Sequence, residues 1–292
     1  MSKNDETPPM QEQVQQIPIS ELHPFEGHPF RVVDDEAMTR TVESISQFGV
    51  ISPLLARPDP DGGYEIISGH RRCHAAEQVG LETLPVIVRE MDDDEAIIAM
   101  VDSNLQRETI LPSERAWAYK MKMDAIKHQG ARTDLTSRPV VGKLEAADQI
   151  GKDTGESGRQ VQRYIRLTNL VPELMDMVDE GKIGFRPAVE LSYLTRDEQS
   201  HLLEAMDYAQ ATPSLSQAQR LKKLSQLKQC SPEAMEVLMD EVKKEELAPT
   251  VTLPTELLRK YFPKSYTPKQ MEDTIIRLLD QWQKSRQRNQ SR

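Results

Sequence analysis

The sequence predicts a small α+β domain, then an all-α domain that contains a helix–turn–helix, and then a small helical region at the C-terminal end. Two observations support this prediction. Short β-type segments alternate with amphipathic segments up to about residue 112, and strand signals nearly vanish after that point. The length of 292 residues, with 37% hydrophobic and 29% charged residues, fits several small domains better than one large globule.

The α+β domain is predicted over residues 17–112, after a polar tail over residues 1–16 that we expect to be disordered. Its elements follow from apolar periodicity and from Gly, Pro and Asp signals at their ends. They are a helix over 34–48, strands over 53–57 and 64–68, a helix over 71–79, a strand over 85–88, and a helix from 92–94 towards 107.

The helix–turn–helix domain is predicted over residues 113–208, with helices over 113–128, 143–150 and 158–167. Gly151 is taken as the end of the second of these helices, which makes the turn before Ser157 long. A helical linker region is then predicted over 209–249, and a basic helical region, expected to dimerise, over 250–292.

Composition argues against membrane and disulfide-rich classes. The longest apolar run, over 96–101, is far shorter than the ~20 residues of a membrane span. The first 16 residues are polar and lack the apolar core of a signal peptide, and the two cysteines cannot form a disulfide framework. We therefore expect a cytoplasmic protein with no membrane partner.

The formal net charge of −10 conceals two basic regions. Residues 259–292 hold nine Lys or Arg and three Asp or Glu, and residues 157–169 hold three Arg and no acid. Because phosphate attraction depends on the local potential, the acidic total does not exclude a nucleic-acid partner.

The first chemical motif is Ser-Gly-His-Arg-Arg at 68–72, where a strand is predicted to become a helix. A helix N-terminus presents free N–H groups, Gly69 permits close approach, and Arg71 and Arg72 can hold phosphate oxygens in forked geometry. The motif therefore favours a polyphosphate site. The alternative is a pair of solvated surface arginines.

Metal ligation has one candidate near this motif. Asp102 and Asn104 carry oxygen atoms that suit Mg²⁺, and the alternative is a polar helix end. A site on His70, Cys73 and His74 is not expected, since no further ligand follows at suitable spacing. Cys73 is not expected to be a catalytic thiol either.

The predicted helix over 158–167 has two distinct faces. Its apolar face is formed by Val161, Tyr164, Ile165 and Thr168. Arg and Gln on the opposite face can read base edges or contact phosphates in a major groove, although many surface helices carry these residues for solubility. The predicted DNA-binding residues are Ser157, Arg159, Gln160, Gln162, Arg163 and Arg166.

Four boxes in the N-terminal domain, taken in order, resemble those of the ParB/RepB partition-protein family. They are PFR at 29–31, GVISPL at 49–54, GHRRCHAA at 69–76 and NLQRE at 104–108. The helix–turn–helix and the stretch over 174–194 continue the match, which spans roughly residues 17–208.

The resemblance implies a ParB-like, sulfiredoxin-like N-terminal fold that binds CTP with Mg²⁺, and a dimeric clamp on double-stranded DNA at a centromere-like site. It also implies a nucleoid-associated protein and a ParA-type ATPase partner. Carried over by position, Asn104, with Asp102, would lie by the Mg²⁺. The implied cofactor-binding residues are Arg31, Gly69, His70, Arg71, Arg72 and Asn104.

Three departures from the family pattern bear on activity. His70 stands where the family has Glu, which removes a carboxylate and alters the charge of the pocket. Ser103 also stands where the family has Glu, and this weakens the expectation of CTP hydrolysis more than that of CTP binding. A weak CTPase activity stays open, and no catalytic residue is assigned. The third departure is the turn before Ser157, which looks about four residues longer than in the family.

Two other classes remain as alternatives. One is a helix–turn–helix transcriptional or replication regulator of a plasmid or mobile element, with a degenerate nucleotide pocket. The other is a nucleotide-dependent enzyme related to sulfiredoxin or serine kinases, which the helix–turn–helix and the basic C-terminal region argue against.

The last predicted helix carries an apolar stripe formed by Met271, Ile275, Leu278, Leu279 and Trp282. A single helix cannot bury this stripe alone, so it must pack on residues 257–262, on another domain or on a second copy of the chain. The family resemblance favours the second copy, and hence a homodimer.

Overall fold

The computed structural model describes residues 13–107, 109–133, 143–241, 258, 260–263 and 265–290. The chain divides into two compact units, Met1–Asp240 and Glu241–Arg292. The predicted linker signals at 243–254 and most of the connection at 130–142 lie outside the described residues.

The first unit contains a mixed five-stranded sheet with the strand order β1-β5-β3-β4-β2. β1 and β5 are antiparallel, as are β3 and β4, whereas the β3–β5 and β2–β4 pairs are parallel. The strands are β1 (Val14–Pro18), β2 (Leu22–Pro24), β3 (Leu54–Pro58), β4 (Tyr64–Ser68) and β5 (Thr83–Val88).

Helices cover both faces of this sheet. They are α1 (Glu36–Phe48), α2 (His70–Val79) and α3 (Asp93–Leu105). Ile66 packs in the core formed with α1 and α2, and the next residue, Ile67, packs in the core formed with α3. This alternation is what a strand buried on both faces requires. The end of β4, the start of α2 and the end of α3 lie close together, since Ser68, His70 and Asn104 line the same cavity.

The predicted tail over 1–16 is too long. β1 begins at Val14 and pairs Gln15 and Gln16 with Val86 and Pro85 of β5. Only Ile17 of this strand belongs to the buried core, so its first residues carry no apolar alternation that a sequence pattern could detect.

Helices form the rest of the first unit. They are α4 (Pro112–Thr133), α5 (Lys143–Thr154), α6 (Gly158–Leu167), α7 (Pro172–Asp179), α8 (Phe185–Leu191), α9 (Arg196–Ala209), α10 (Leu215–Gln226) and α11 (Pro232–Met239). Leu221 of α10 and Met235 of α11 lie in the same core as Leu174 and Leu202. The described part of the predicted linker region therefore packs with the helices before it.

The expectation of a long turn between α5 and α6 is wrong. α5 continues to Thr154, which leaves only residues 155–157 between the two helices. Gly151 lies inside α5, where a Cβ atom would stand 2.6 Å from the Glu156 carbonyl oxygen. The glycine permits close approach of the chain that leads into α6, so it does not mark the helix end.

The second unit contains α12 (Pro268–Gln290), which starts where Thr267 and Gln270 hydrogen-bond reciprocally. Met271 is buried, whereas Ile276, Leu278 and Leu279 are more than half exposed. The Trp282 side chain lies outside the described residues, and dimerisation through α12 stays a prediction. None of the described helices is long and apolar enough to span a membrane.

Replacement of Gly151 by alanine tests the close approach of the α5–α6 connection. We expect Gly151→Ala to lower the free energy of unfolding by roughly 1 kcal/mol or more, because the Glu156 carbonyl must shift, even though alanine is the better helix former. Urea denaturation followed by circular dichroism measures the change.

Gly184→Ala is the matched control, since the nearest atom to its added Cβ would be Pro187 Cδ at 3.6 Å. We expect this variant to stay within about 0.5 kcal/mol of the wild type. Equal stability of the Gly151 variant and the wild type would contradict the packing described.

Candidate functional site

The junction between β4 and α2 is shaped by Gly69. Its φ of +110° belongs to the left-handed region, and a Cβ atom would lie 2.7 Å from Leu54 Cγ. Gly69 is also the N-cap of α2, which has no side-chain cap and no acidic residue in its first turn. The first N–H groups of α2, at the positive end of its dipole, therefore remain available to an anion.

A cavity of about 190 Å³ lies in front of this helix N-terminus. Within the described part of the chain, its lining contains three guanidinium groups and no carboxylate. The lining residues are His28, Phe30, Val32, Ser68, Gly69, His70, Arg71, Arg72, Ser103, Asn104 and Arg107. The structure thus brings together five of the six predicted cofactor-binding residues.

The three guanidiniums are held in different ways. Arg72 donates hydrogen bonds to the carbonyl oxygens of Ser52 and Pro53. Arg71 Nη2 lies 3.1 Å from a carboxylate oxygen of Asp35. Arg107 lies over the Phe30 ring, with Cζ 5.9 Å from the ring centroid. Each positive group is therefore positioned before any ligand arrives, which favours binding of an anion.

Burial lowers the pKa of Arg72, and it also lowers the pKa of Arg107, with a further contribution from the charge of Arg71. These guanidiniums remain charged at neutral pH, so the lowered pKa values report the cost of burying their charge and, for Arg107, the repulsion by Arg71. A polyphosphate would relieve this repulsion. The cavity therefore suits an anionic ligand.

Arg107 is a lining residue that the predicted site omits. It lies two residues beyond the end of α3, where its backbone N–H donates to the Asn104 carbonyl. The NLQRE box contains it, so the signal was present in the sequence. A lone arginine just past a helix end has no spacing pattern that indicates a ligand, and only the tertiary fold brings it beside Arg71.

Two histidines form the inner wall of the cavity. The rings of His28 and His70 lie with centroids 3.9 Å apart, and His28 Nδ1 is 2.8 Å from the Phe30 carbonyl oxygen. Among the described residues, neither Nε2 atom has a hydrogen-bond partner. Burial lowers the pKa of both rings, to about 3 for His70. Both are neutral at pH 7, so the positive charge of the cavity comes from the arginines.

The predicted Mg²⁺ ligands are not brought together. Asp102 does not line the cavity, and its carboxylate lies 2.6 Å from Lys122 Nζ. Asn104 lines the cavity, but its Nδ2 donates to the Met100 carbonyl, which leaves Oδ1 as its remaining acceptor. Within the described ranges, no three His, Cys, Asp or Glu residues are placed to hold a metal ion. Among the described residues, the cavity lining suits an anion better than it suits a metal ion.

Arg31 is directed away from the cavity. Its guanidinium lies 3.8 Å from Asp176 of α7, and its backbone N–H donates to Glu114 of α4. The predicted role of Arg31 near the triphosphate therefore does not follow from this structure.

Cys73 is buried, and burial raises the pKa of its thiol to about 11, which keeps it protonated.

The predicted DNA-binding residues on α6 separate into two groups. Ser157 caps the helix by accepting from the Gln160 N–H, and Arg159 and Arg163 are exposed. Neither arginine forms an ion pair within the described part of the chain. Arg166 instead stacks on Tyr193, with Cζ 3.9 Å from the ring centroid, and donates to the Ser192 carbonyl.

Together, the mixed sheet, the glycine-capped α2 and the three arginines form an α+β domain with a cationic cavity, and a helical region follows it. Residues 3–105 match the family model of the ParB N-terminal domain. Over these residues the chain matches a ParB N-terminal domain, and the predicted resemblance to the ParB partition proteins is confirmed.

Two relatives illustrate the similarity. Stage 0 sporulation protein J of Bacillus subtilis (strain 168) is 35% identical over 177 residues, which cover 60% of this chain and 55% of that protein. A probable chromosome-partitioning protein ParB of Pseudomonas putida is 32% identical over 189 residues, which cover 65% of this chain and 59% of that protein. The chain thus matches little more than half the length of these relatives.

C-terminally truncated ParB from Caulobacter crescentus is similar in two solved complexes. With the centromeric parS site, it is 25% identical, covers 72% of this chain and 98% of that chain, and superposes with a TM-score of 0.43. With CTP-γ-S, it is 28% identical, covers 62% and 92%, and has a TM-score of 0.31. Because both scores lie below 0.5, the fold assignment rests on the family-model match.

The buried His70 predicts a pH dependence of stability. Its pKa is about 3 in the folded chain and near 6.5 when exposed, so the unfolded chain binds the additional proton between these values. Stability contributed by the neutral ring is complete above pH 6.5 and is lost as the pH falls. From pH 7 to pH 5, we expect His70 to reduce the free energy of unfolding by about 2 kcal/mol.

His70→Gln removes this titration, so its stability should fall less than that of the wild type over the same interval. His201→Gln, which removes a histidine outside the cavity, is the control. Urea denaturation at both pH values measures the difference. A His70→Gln variant that loses as much stability as the wild type would contradict the assignment.

Proposed function

We propose that this protein is a DNA-binding partition protein whose N-terminal cavity binds CTP and whose helix α6 binds double-stranded DNA at a centromere-like site. The observation that carries the proposal is the cavity at the N-terminus of α2, where three arginines and free N–H groups converge and where the described lining residues include no carboxylate. The name of the Pseudomonas putida relative, a probable chromosome-partitioning protein, supports the same function.

The nucleotide part of the proposal is supported by the geometry of the anion site. A helix N-terminus with a glycine cap and adjacent arginines suits a chain of phosphates, since each phosphate can meet either N–H groups or a guanidinium. Asp35, which is half exposed, now neutralises Arg71 and would be replaced by a phosphate oxygen. Cytosine as the base, and Mg²⁺ as a companion ion, are implied by the family resemblance.

The DNA part of the proposal is supported by the first two turns of α6. Arg159 and Arg163 are four residues apart on an exposed face, and Ser157 fixes the helix start at that end. The N-terminal residues of a recognition helix are those that usually reach base edges. The resemblance further implies a dimeric clamp, with α12 as the dimerisation element and a ParA-type ATPase as a partner.

One observation favours a second candidate. Asp102, the carboxylate expected beside Mg²⁺, is paired with Lys122 and does not line the cavity. A helix–turn–helix regulator with a degenerate nucleotide pocket would show tight DNA binding that does not respond to CTP. The two candidates therefore differ in one measurable property.

Calorimetric titration with CTP, ATP and GTP, in Mg²⁺, tests the nucleotide site. We expect selective binding of CTP by the wild type and its loss in Arg71→Ala, because the terminal phosphates lose a forked partner. Arg40→Ala is the control, since Arg40 is exposed, pairs with Glu36 of its own helix and does not line this cavity.

Retained CTP affinity in Arg71→Ala would overturn the phosphate assignment. No binding of any nucleotide by the wild type, together with tight DNA binding, would favour the regulator. Phosphoryl transfer from the nucleotide to a small acceptor in the absence of DNA would favour the enzyme class.

Fluorescence anisotropy with a short duplex, selected for tight binding from a random-sequence pool, tests the DNA site. We expect Arg163→Ala to weaken the specific complex by ~1–3 kcal/mol if it reads a base. Arg40→Ala again controls for the loss of one positive charge. Unchanged affinity in Arg163→Ala would remove this residue from the interface.

A further inference from the structure

We infer that Lys122 is a positioning residue that couples the cavity to the DNA-binding helix pair. Its Nζ lies 2.6 Å from a carboxylate oxygen of Asp102 on α3 and 2.8 Å from one of Asp153 on α5. One ammonium group on α4 thus joins the helix that ends at the cavity to the helix that leads into α6. The inference rests on the proposed function, because it concerns the nucleotide and the DNA named there.

The ammonium has little freedom to move. The Lys122 side chain is only 3% exposed, although the two carboxylates are close to half exposed. A buried ammonium that loses a partner is left uncompensated in a medium of low dielectric constant. Both contacts are therefore expected to persist together, so that α3 and α5 keep a fixed separation across α4.

At the cavity end, the connection runs through consecutive residues of α3. Asp102 contacts Lys122, while Ser103 and Asn104 line the cavity. Successive side chains of a helix point about 100° apart, so a single turn can direct Asp102 towards Lys122 and Asn104 towards the cavity. A ligand that shifts or rotates this turn must move the Asp102 carboxylate as well.

At the DNA-binding end, α4 forms ion pairs with the end of α5 and with the connection that follows it. Asp153 lies one residue before the end of α5, and Glu156 lies in the connection, where its carboxylate is 2.8 Å from Arg115 of α4. Arg115 also lies over the Tyr164 ring of α6. A displacement of Asp102 that moves Lys122 therefore reaches the residues that set the start of α6.

The test is the effect of DNA on nucleotide affinity, measured by CTP titration with and without a saturating short duplex. In the wild type we expect the two CTP dissociation constants to differ by roughly 5-fold or more, as coupled sites do. Asp153→Asn keeps the shape of the side chain and the Asp102 contact but removes the charge at α5. We expect it to bring the ratio of the two constants close to one.

The control is Asp124→Asn, which removes an exposed carboxylate of α4 that pairs with Lys127 of the same helix. It should keep the wild-type ratio. Lys122→Met is a second variant that should also bring the ratio close to one. If it fails to fold, the comparison of the two aspartate variants decides.

A purely structural role would lower stability without changing the ratio. A wild-type ratio in Asp153→Asn, or a ratio of one in the wild type, would overturn the coupling while leaving the proposed function intact. A wild type that binds DNA but no nucleotide would overturn the proposed function and the coupling with it.

Discussion

The ammonium of Lys122 is almost fully removed from solvent, and this single buried charge constrains the arrangement of the helices around it. Without paired carboxylates it would carry a desolvation penalty of several kcal/mol, so α3 and α5 must each bring a carboxylate within hydrogen-bond distance of α4. α4 accordingly contributes to three separate cores, through Ala116, Ala118 and Tyr119. The boundary that the sequence predicts at residue 112 is therefore a change of architecture within one packed unit.

The cavity shows why the net charge of −10 is a poor guide to its ligand. Three guanidiniums gather where no carboxylate of the described chain lines the cavity, and the nearby histidines are kept neutral by burial. Gly69 makes this possible, because only a residue without Cβ allows the turn at φ +110° beside Leu54. The field at the cavity therefore depends on the charges close to it, including Asp35 beside Arg71, and the net charge of the whole chain does not determine it.

Sequence patterns predicted the elements that are fixed by local chemistry. α6 begins and ends where its Ser157 cap and apolar periodicity placed it, and α2 begins one residue before the position predicted from Gly69. Sequence patterns did not predict the features that depend on tertiary contacts. Gly151 carries the usual signal of a helix end, yet it lies inside α5 because the returning chain passes too close for a side chain.

Tertiary contacts also explain why some of the predicted site residues do not line the cavity. Arg31 and Asp102 have the right chemistry for a nucleotide and its metal, but partners distant in sequence, Asp176 and Lys122, hold them elsewhere. Arg107 lines the cavity but belongs to no periodic pattern, so sequence periodicity does not indicate it as a site residue. A sequence motif shows which side chains are present. The contacts that these side chains form with other parts of the fold determine which of them face a ligand.

Helix α6 shows how this competition changes a functional prediction. Periodicity places Arg166 on the same face as Arg159 and Arg163, but a side chain at the third turn can also reach the helices packed beneath it. The cation–π contact with Tyr193 and the hydrogen bond to Ser192 hold Arg166 against α8. Among the described residues of α6, the exposed guanidiniums are those of Arg159 and Arg163 in the first two turns, about 6 Å apart along the axis. Those turns follow the connection in which Glu156 pairs with Arg115 of α4, and Asp153 at the end of α5 pairs with Lys122 of α4. The positions of the two exposed arginines therefore depend on α4.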